Sequence, residues 1–228
     1  MNKGTKIIVE IILFVACLGL VYLIYNSIMQ PVRFNKQKAY RESVAIQRLK
    51  DIRTLEVAFK SVNGRYTGDI DSLINFYNTG KMEVIMQVGS GDDSVAVAHT
   101  EALKKKGAKV EDLLKMYQEG AKDLYFSTKT LVPVKDTLFT GRENLVLDSL
   151  KFIPFSGGQP IEMQAVIKVV SGVNVPLFEA EAPYDKLLRG LDRQLIINAK
   201  ADCRDKNRYE GLQVGSVDTP NNNAGNWE

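Results

Sequence analysis

A chain of 228 residues with 30 basic and 27 acidic side chains, net charge +3, carries no strong field of either sign, so its charge calls for no nucleic-acid partner. After an apolar N-terminal stretch about 200 residues remain, material for one ordinary globular domain and a stalk rather than two cores. Of the two cysteines, Cys17 lies in the apolar stretch and Cys203 stands alone, so no disulfide is expected and cysteine usage does not identify a compartment. His99 is the only histidine, which removes serine–histidine and cysteine–histidine nucleophiles and a His/Cys zinc cluster from the chemistry the chain can supply by itself.

Residues 1–6 form a short basic N-terminus containing Lys3 and Lys6. Residues 7–29 are almost unbroken apolar sequence, roughly 34 Å long as a helix against a hydrocarbon core of ~30 Å, and predict a transmembrane helix. Glu10 opposes this at ~3 kcal/mol, while about fourteen Leu, Ile, Val and Phe residues favour insertion by about 6 kcal/mol. A cleaved signal peptide would have a shorter core and a small-residue exit site, and the residues around Cys17 make a poor lipoprotein box. Arg33, Lys36, Lys38 and Arg41 follow the span, so a positive-inside count places the rest of the chain in the cytoplasm.

Residues 30–63 read as a helical stalk. Pro31 is a kink or an early position of a renewed helix, and Ile46, Leu49, Ile52, Leu55, Phe59 and Val62 recur at helical spacing. This stripe packs on the protein's own head or on neighbouring copies. Asn63-Gly64 closes the helix, and a second short helix through Leu73 and Phe76 ends at Gly80, making a helical hairpin. Residues 64–228 form the head. Residues 83–88 and 94–97 read as a β-hairpin around Gly89-Ser90-Gly91-Asp92-Asp93, followed by a charged helical insertion over 99–122 with the lysine run Lys104-Lys105-Lys106. Strands are then expected at 124–127, 131–134, 149–153, 162–170, 175–180, 193–197 and 212–215, with 175–180 an edge strand because Pro176 lacks a donor. A helical turn lies at 184–188. The tail, 218–228, is irregular, and Trp227 tacks it to the head.

No catalytic, cofactor-binding or metal-binding residue stands out. Gly89-Ser90-Gly91 lacks the context of a dinucleotide loop, and Asp69 with Asp71, or Asp92 with Asp93, lacks the ligand ladder of a calcium loop. Cofactors are therefore expected to be none. Glu10 is the one candidate functional residue, as an assembly contact inside the membrane.

Gly4, the run opening Ile7-Ile8-Val9-Glu10, the long amphipathic helix and the turn Asn63-Gly64-Arg65-Tyr66 resemble the architecture of type IV pilins and type II secretion pseudopilins. In that superfamily a glutamate is fifth after the glycine, whereas Glu10 is sixth after Gly4, and Lys6 stands where the superfamily is uncharged. Across most of the chain, Leu49-Lys50-Asp51-Ile52-Arg53, residues 60–67, Leu73-Ile74-Asn75-Phe76, residues 132–139, residues 190–198 and the closing Asn221-Asn222-Asn223-Ala224-Gly225-Asn226-Trp227-Glu228 resemble an uncharacterised family of single-pass membrane proteins of Bacteroidetes-type bacteria, which carries no assigned activity.

The expected fold class is thus α+β: a transmembrane helix continuing into a long amphipathic helix, a helical hairpin and an antiparallel β-sheet head. The expected function is a non-enzymatic structural or assembly component of the bacterial envelope, pilin-like, in the inner (cytoplasmic) membrane with a periplasmic head. Its partners are the lipid bilayer and protein partners or copies of itself met through the span and stalk. The alternative is a membrane-tethered ligand-binding or sensing domain.

Overall fold

The computed structural model describes residues 3–142 and 145–228, with the side chains of Ile7 and of residues from 11 onward. The fold is α+β, and two compact units take the place of the single core expected from chain length. The first unit comprises residues 1–54, 66–70 and 146–228; the second comprises residues 55–65 and 71–145.

Span and stalk are one helix, α1 (Lys3–Asn63), unbroken at Pro31. A single proline removes one backbone bond, and the helix carries on through both neighbouring turns. The apolar part of α1 is long and apolar enough to cross a membrane, and from Ile11 to Ile28 every residue is exposed. Gly64 terminates the helix as expected, at φ +72° with its N–H donating to the Lys60 carbonyl at 2.8 Å.

In the first unit, β3 (Glu162–Val170), β4 (Val173–Pro183) and β5 (Gly211–Gly215) form an antiparallel sheet in the order β3-β4-β5. Ser171 and Gly172, both at positive φ, join β3 to β4 in a two-residue hairpin. β4 is central, which corrects the edge-strand expectation. Only Glu179–Pro183 pairs with β5, so Pro176 lies where β4 has β3 alone as a neighbour and its missing donor breaks no ladder. The core is built from Leu49 and Ile52 of α1 with Leu150, Ile153, Phe178, Ala180, Leu187, Leu188 and Val214, and the Tyr66 ring lies 4.8 Å from that of Phe178.

Two strand expectations in this unit became helices. Residues 147–151 form a 3₁₀ turn: Leu150 within it and Ile153 two residues beyond it are buried three apart, whereas Phe152 between them is exposed, which is not the alternation of a strand. Residues 193–197 open α7 (Arg193–Asp205), started by the Asp192 side chain accepting from the Leu195 N–H at 3.0 Å. The short helix α6 (Tyr184–Leu187) lies where a helical turn was expected.

The C-terminal tail is irregular in secondary structure but fastened at its end. The Gly215 N–H donates to the Ala224 carbonyl and the Asn226 N–H to the Gln213 carbonyl, both at 3.0 Å; the Asn226 side chain accepts from the Gln213 N–H and donates to the Gly211 carbonyl. The tail thus covers the edge of β5 that would otherwise present open backbone groups. Gly215 itself is required: at φ +73° a Cβ there would meet the Phe178 carbonyl oxygen at 2.2 Å.

In the second unit, β1 (Lys81–Val88) pairs antiparallel with β2 (Phe126–Pro133), from Lys81 opposite Pro133 to Val88 opposite Phe126. The expected hairpin at 94–97 is absent: those residues begin α3 (Ser94–Lys105), because the Asp93 carboxylate accepts from the N–H groups of Val95 and Ala96 and caps a helix. α3 and α4 (Val110–Gln118) together make the helical excursion between the two strands. Leu113 of α4 packs with Val88, Leu124 and Phe126. A separate cluster of Ala58, Phe76 and Val134 joins the end of α1 to α2 (Ile70–Thr79) and to the turn α5 (Val134–Thr137), with Phe59 edge-on to Phe76 at 5.3 Å.

Candidate functional site

In the first unit, the side of α1 facing the head is fastened almost turn by turn. Gln30 donates to the Asp192 carboxylate at 2.7 Å, and Arg41 donates to the carbonyls of Leu187 at 3.1 Å and Arg189 at 2.9 Å while lying 5.1 Å over the Phe155 ring. The Tyr184 hydroxyl donates to Glu42, which also pairs with Lys38 at 3.7 Å. Arg48 donates to the Phe152 carbonyl, and Arg53 donates to the Asn223 carbonyl at 3.2 Å and pairs with Glu228 at 2.7 Å. Between these fastenings Ala45, Leu49 and Ile52 are buried, so the apolar stripe of the stalk is consumed by the protein itself over this stretch. The head takes the stripe from Ala45 to Ile52, while Val62 at its far end is 46% exposed.

Clefts flank α1 in this unit. One, of about 170 Å³, is lined by Glu42, Ile46, Tyr184, Cys203, Tyr209 and Trp227 among others. Burial pushes the Tyr184 phenol far up, reinforced by its bond to Glu42, and burial also raises the Cys203 thiol. At neutral pH both stay protonated, which leaves no thiolate nucleophile there. The other cleft, of about 280 Å³, lies where α1 leaves the apolar segment, between Gln30, Arg33, Phe34 and Gln37 on the helix and Gly190, Leu191 and Asp192 on the loop before α7.

A carboxylate group occupies the sheet. Glu162 is directly opposite Glu181 in the β3–β4 ladder, and Glu179 shares the Glu181 face of β4. Like charges in those positions repel. Burial, together with the charge of Glu179, pushes the Glu181 carboxyl up to about 7, and Tyr209, itself shifted upward mainly by burial, hydrogen-bonds to it. Lys186 pairs with Glu162, and Glu179 accepts from the Val217 N–H at 3.2 Å. The shift falls on Glu181, the member of the group that burial and the neighbouring charges bring toward neutrality. The group was not singled out from sequence; the available signal was Glu179-Ala180-Glu181, two acids on one face of a strand, whose burial only the fold reveals.

Of the residues weighed in the sequence, Glu10 lies in the helical backbone of α1, and its side chain is outside the described residues. His99 places Nδ1 at 3.1 Å from the Asp123 carbonyl on an exposed surface, distant in sequence from any other titratable cluster described above. Gly89 is a turn residue at φ +77°, where a Cβ would meet the Leu124 carbonyl at 2.2 Å, and Asp93 is the cap of α3. Lys104 and Lys105 lie in the last turn of α3 and Lys106 at its C-terminal cap, all exposed. Among the described residues, no three His, Cys, Asp or Glu side chains come together in a metal-holding group.

No protein-family model, no curated protein and no solved structure matches this chain.

Proposed function

We propose that this protein is a single-pass, membrane-anchored structural or assembly component of the bacterial envelope, without enzymatic activity, and built like a pilin or pseudopilin in the order of its elements. The observation that carries the reading is α1: from Ile11 to Ile28 it is apolar and open on every side, and the same unbroken helix is the core spine of the first unit. A span joined to its head without a flexible linker transmits position and force, which suits an assembled part better than a loose tether. Because the stalk's apolar stripe is buried from Ala45 to Ile52, contacts with partners or further copies fall to the span, Glu10 included, and to the exposed stripe Lys36, Ser43, Gln47 and Lys50. In a bilayer a carboxyl such as that of Glu10 is expected to find a partner on a neighbouring helix. We place the protein in the inner membrane with a periplasmic head, following the pilin-like order of elements; the basic flank after the span points the other way, and a reporter fusion to the head decides between them, a cytoplasmic result removing the pilin-like reading.

The test of assembly is a cysteine series at Lys36, Ser43, Gln47 and Lys50 in a background lacking Cys17 and Cys203. Crosslinked oligomers in native membranes are expected, and strictly monomeric bands at every position would sink the proposal. Glu10→Gln is expected to weaken those crosslinks without changing membrane localisation; unaltered crosslinking would reduce the span to a tether. A ligand-binding head is the second reading, and the cleft of about 280 Å³ beside Gln30, Phe34 and Leu191 is where it would be tested.

A further inference from the structure

We infer that the cleft where α1 emerges from its apolar segment is a phospholipid headgroup site, in which Arg33 binds the phosphate of an anionic membrane lipid with Lys36 and Arg193 beside it. The inference rests on the reading of α1 as a membrane anchor. It starts from a division among the cations that follow the span. Lys38 pairs with Glu42, Arg41 donates to two carbonyls, and Arg189 donates to the Ser156 carbonyl at 2.9 Å. Arg33, Lys36 and Arg193 are exposed and make no ion pair or hydrogen bond among the described residues. Three unpaired cations therefore remain at the end of the protein nearest the span.

Their depth fits. Arg33 is four residues beyond Met29, about 6 Å along the helix axis, and Lys36 about 10 Å. The headgroup layer of one leaflet is roughly 5–7 Å thick, so a span that ends at Met29 sets Arg33 at the level of the lipid phosphates. The cleft at that level has a mixed lining suited to a lipid at the interface: buried Phe34 and half-buried Leu191 offer apolar surface to the top of the acyl chains, while Gln30, Gln37 and Arg33 offer donors. Asp192 is the one carboxylate on its rim. Both its oxygens are already engaged, one accepting from Gln30 at 2.7 Å and the other from the Leu195 N–H at 3.0 Å. An arginine guanidinium grips a phosphate through two parallel bonds, and juxtamembrane cations favour anionic lipid over neutral lipid. Zwitterionic lipid offers the same phosphate with a compensating cation, so the excess of three cations over the single Asp192 carboxylate selects the anionic headgroup.

The full-length protein in nanodiscs of phosphatidylcholine with a minority of phosphatidylglycerol, released into mild detergent and examined by native mass spectrometry, tests this. Selective retention of phosphatidylglycerol is expected, falling about fivefold for each cation removed, ~1 kcal/mol apiece, in Arg33→Gln and in the triple variant with Lys36→Gln and Arg193→Gln. Arg33→Lys is expected to restore part of the retention. Because all three residues are exposed, the variants are expected to unfold at the same temperature as the unaltered protein, so loss of retention cannot be ascribed to misfolding. Equal retention of the two lipids, or unchanged retention in the triple variant, overturns the site while leaving the anchor intact. Displacement of the lipid by millimolar inorganic phosphate overturns the lipid assignment in favour of a soluble anion. Failure of the chain to enter the nanodisc overturns the anchor, and the headgroup site with it.

Discussion

The two halves of α1 are the same backbone with two different surfaces. From Ile11 to Ile28 the helix is exposed all round, with Leu13 and Phe14 each 65% open. A helix with no polar side is stable only where its surroundings are themselves apolar. From Phe34 to Ile52 one side is sealed by the head of the first unit and the other carries charge, as a helix does in water. The contrast shows that continuity of a helix says nothing about its environment; the side chains decide that, turn by turn. It also separates the cations: Arg41 holds the head to the helix, whereas Arg33, two turns earlier, is left facing outward.

The sharpest way to break the contrast is to delete apolar volume on each side of it. Leu49→Ala removes a side chain with no exposed surface and is expected to cost about 2–5 kcal/mol. The same truncation at Leu18, 55% exposed, is expected to leave the unfolding of the head unchanged. Thermal unfolding of the full-length protein in detergent, followed by protease resistance of the head, measures both; equal losses at the two positions would mean that the apolar half also packs within the protein. Next in size is Arg41→Met, which removes two bonds to carbonyls from a charged donor and is expected to cost about 1.5 kcal/mol, against no measurable change for Arg33→Gln. A head insensitive to Arg41→Met would refute its role as a fastening.

The smallest expected effect is a pH dependence confined to the head. The Glu181 carboxyl is pushed up to about 7 from its ordinary 4.5 by burial and by the charge of Glu179. Between those values the folded protein holds a proton that the unfolded chain has released. Its contribution to stability is therefore fully present below about pH 4.5 and is lost as the pH rises through about 7. Solvent around this half-exposed group limits the effect to about 1 kcal/mol. Glu181→Gln is expected to flatten that part of the profile, and a profile unchanged by the substitution would show that another group carries it.

Much of the fold was legible because it is written in local chemistry. The apolar run, the Asn63-Gly64 stop, the short helix ending at Gly80 and the β3–β4 hairpin at Gly172 each depend on neighbours in sequence. Two of the misreadings share a cause. Ser94-Val95-Ala96-Val97 and Arg193-Gln194-Leu195-Ile196-Ile197 are short apolar runs that suit a strand or a helix equally well, and a capping aspartate just before each, Asp93 and Asp192, settled the matter. The candidate sites were less legible still: nothing local says that Glu162 lies across from Glu181, or that the loop at Leu191 comes to rest beside Arg33.

Residue order alone establishes that the first helix opens with a stretch long and apolar enough to cross a membrane, because that property depends on composition and length, not on what the rest of the chain does. Tertiary structure decided everything that depends on pairing. It split the strands into two sheets, made β4 central by giving it β5 over Glu179–Pro183, and sorted the cations after the span into those that bind the head and those left facing outward. Partners brought together across more than a hundred positions of chain, as Arg41 and Leu187 are, leave no local signature, since the free energy that joins them arises only once the intervening chain has folded.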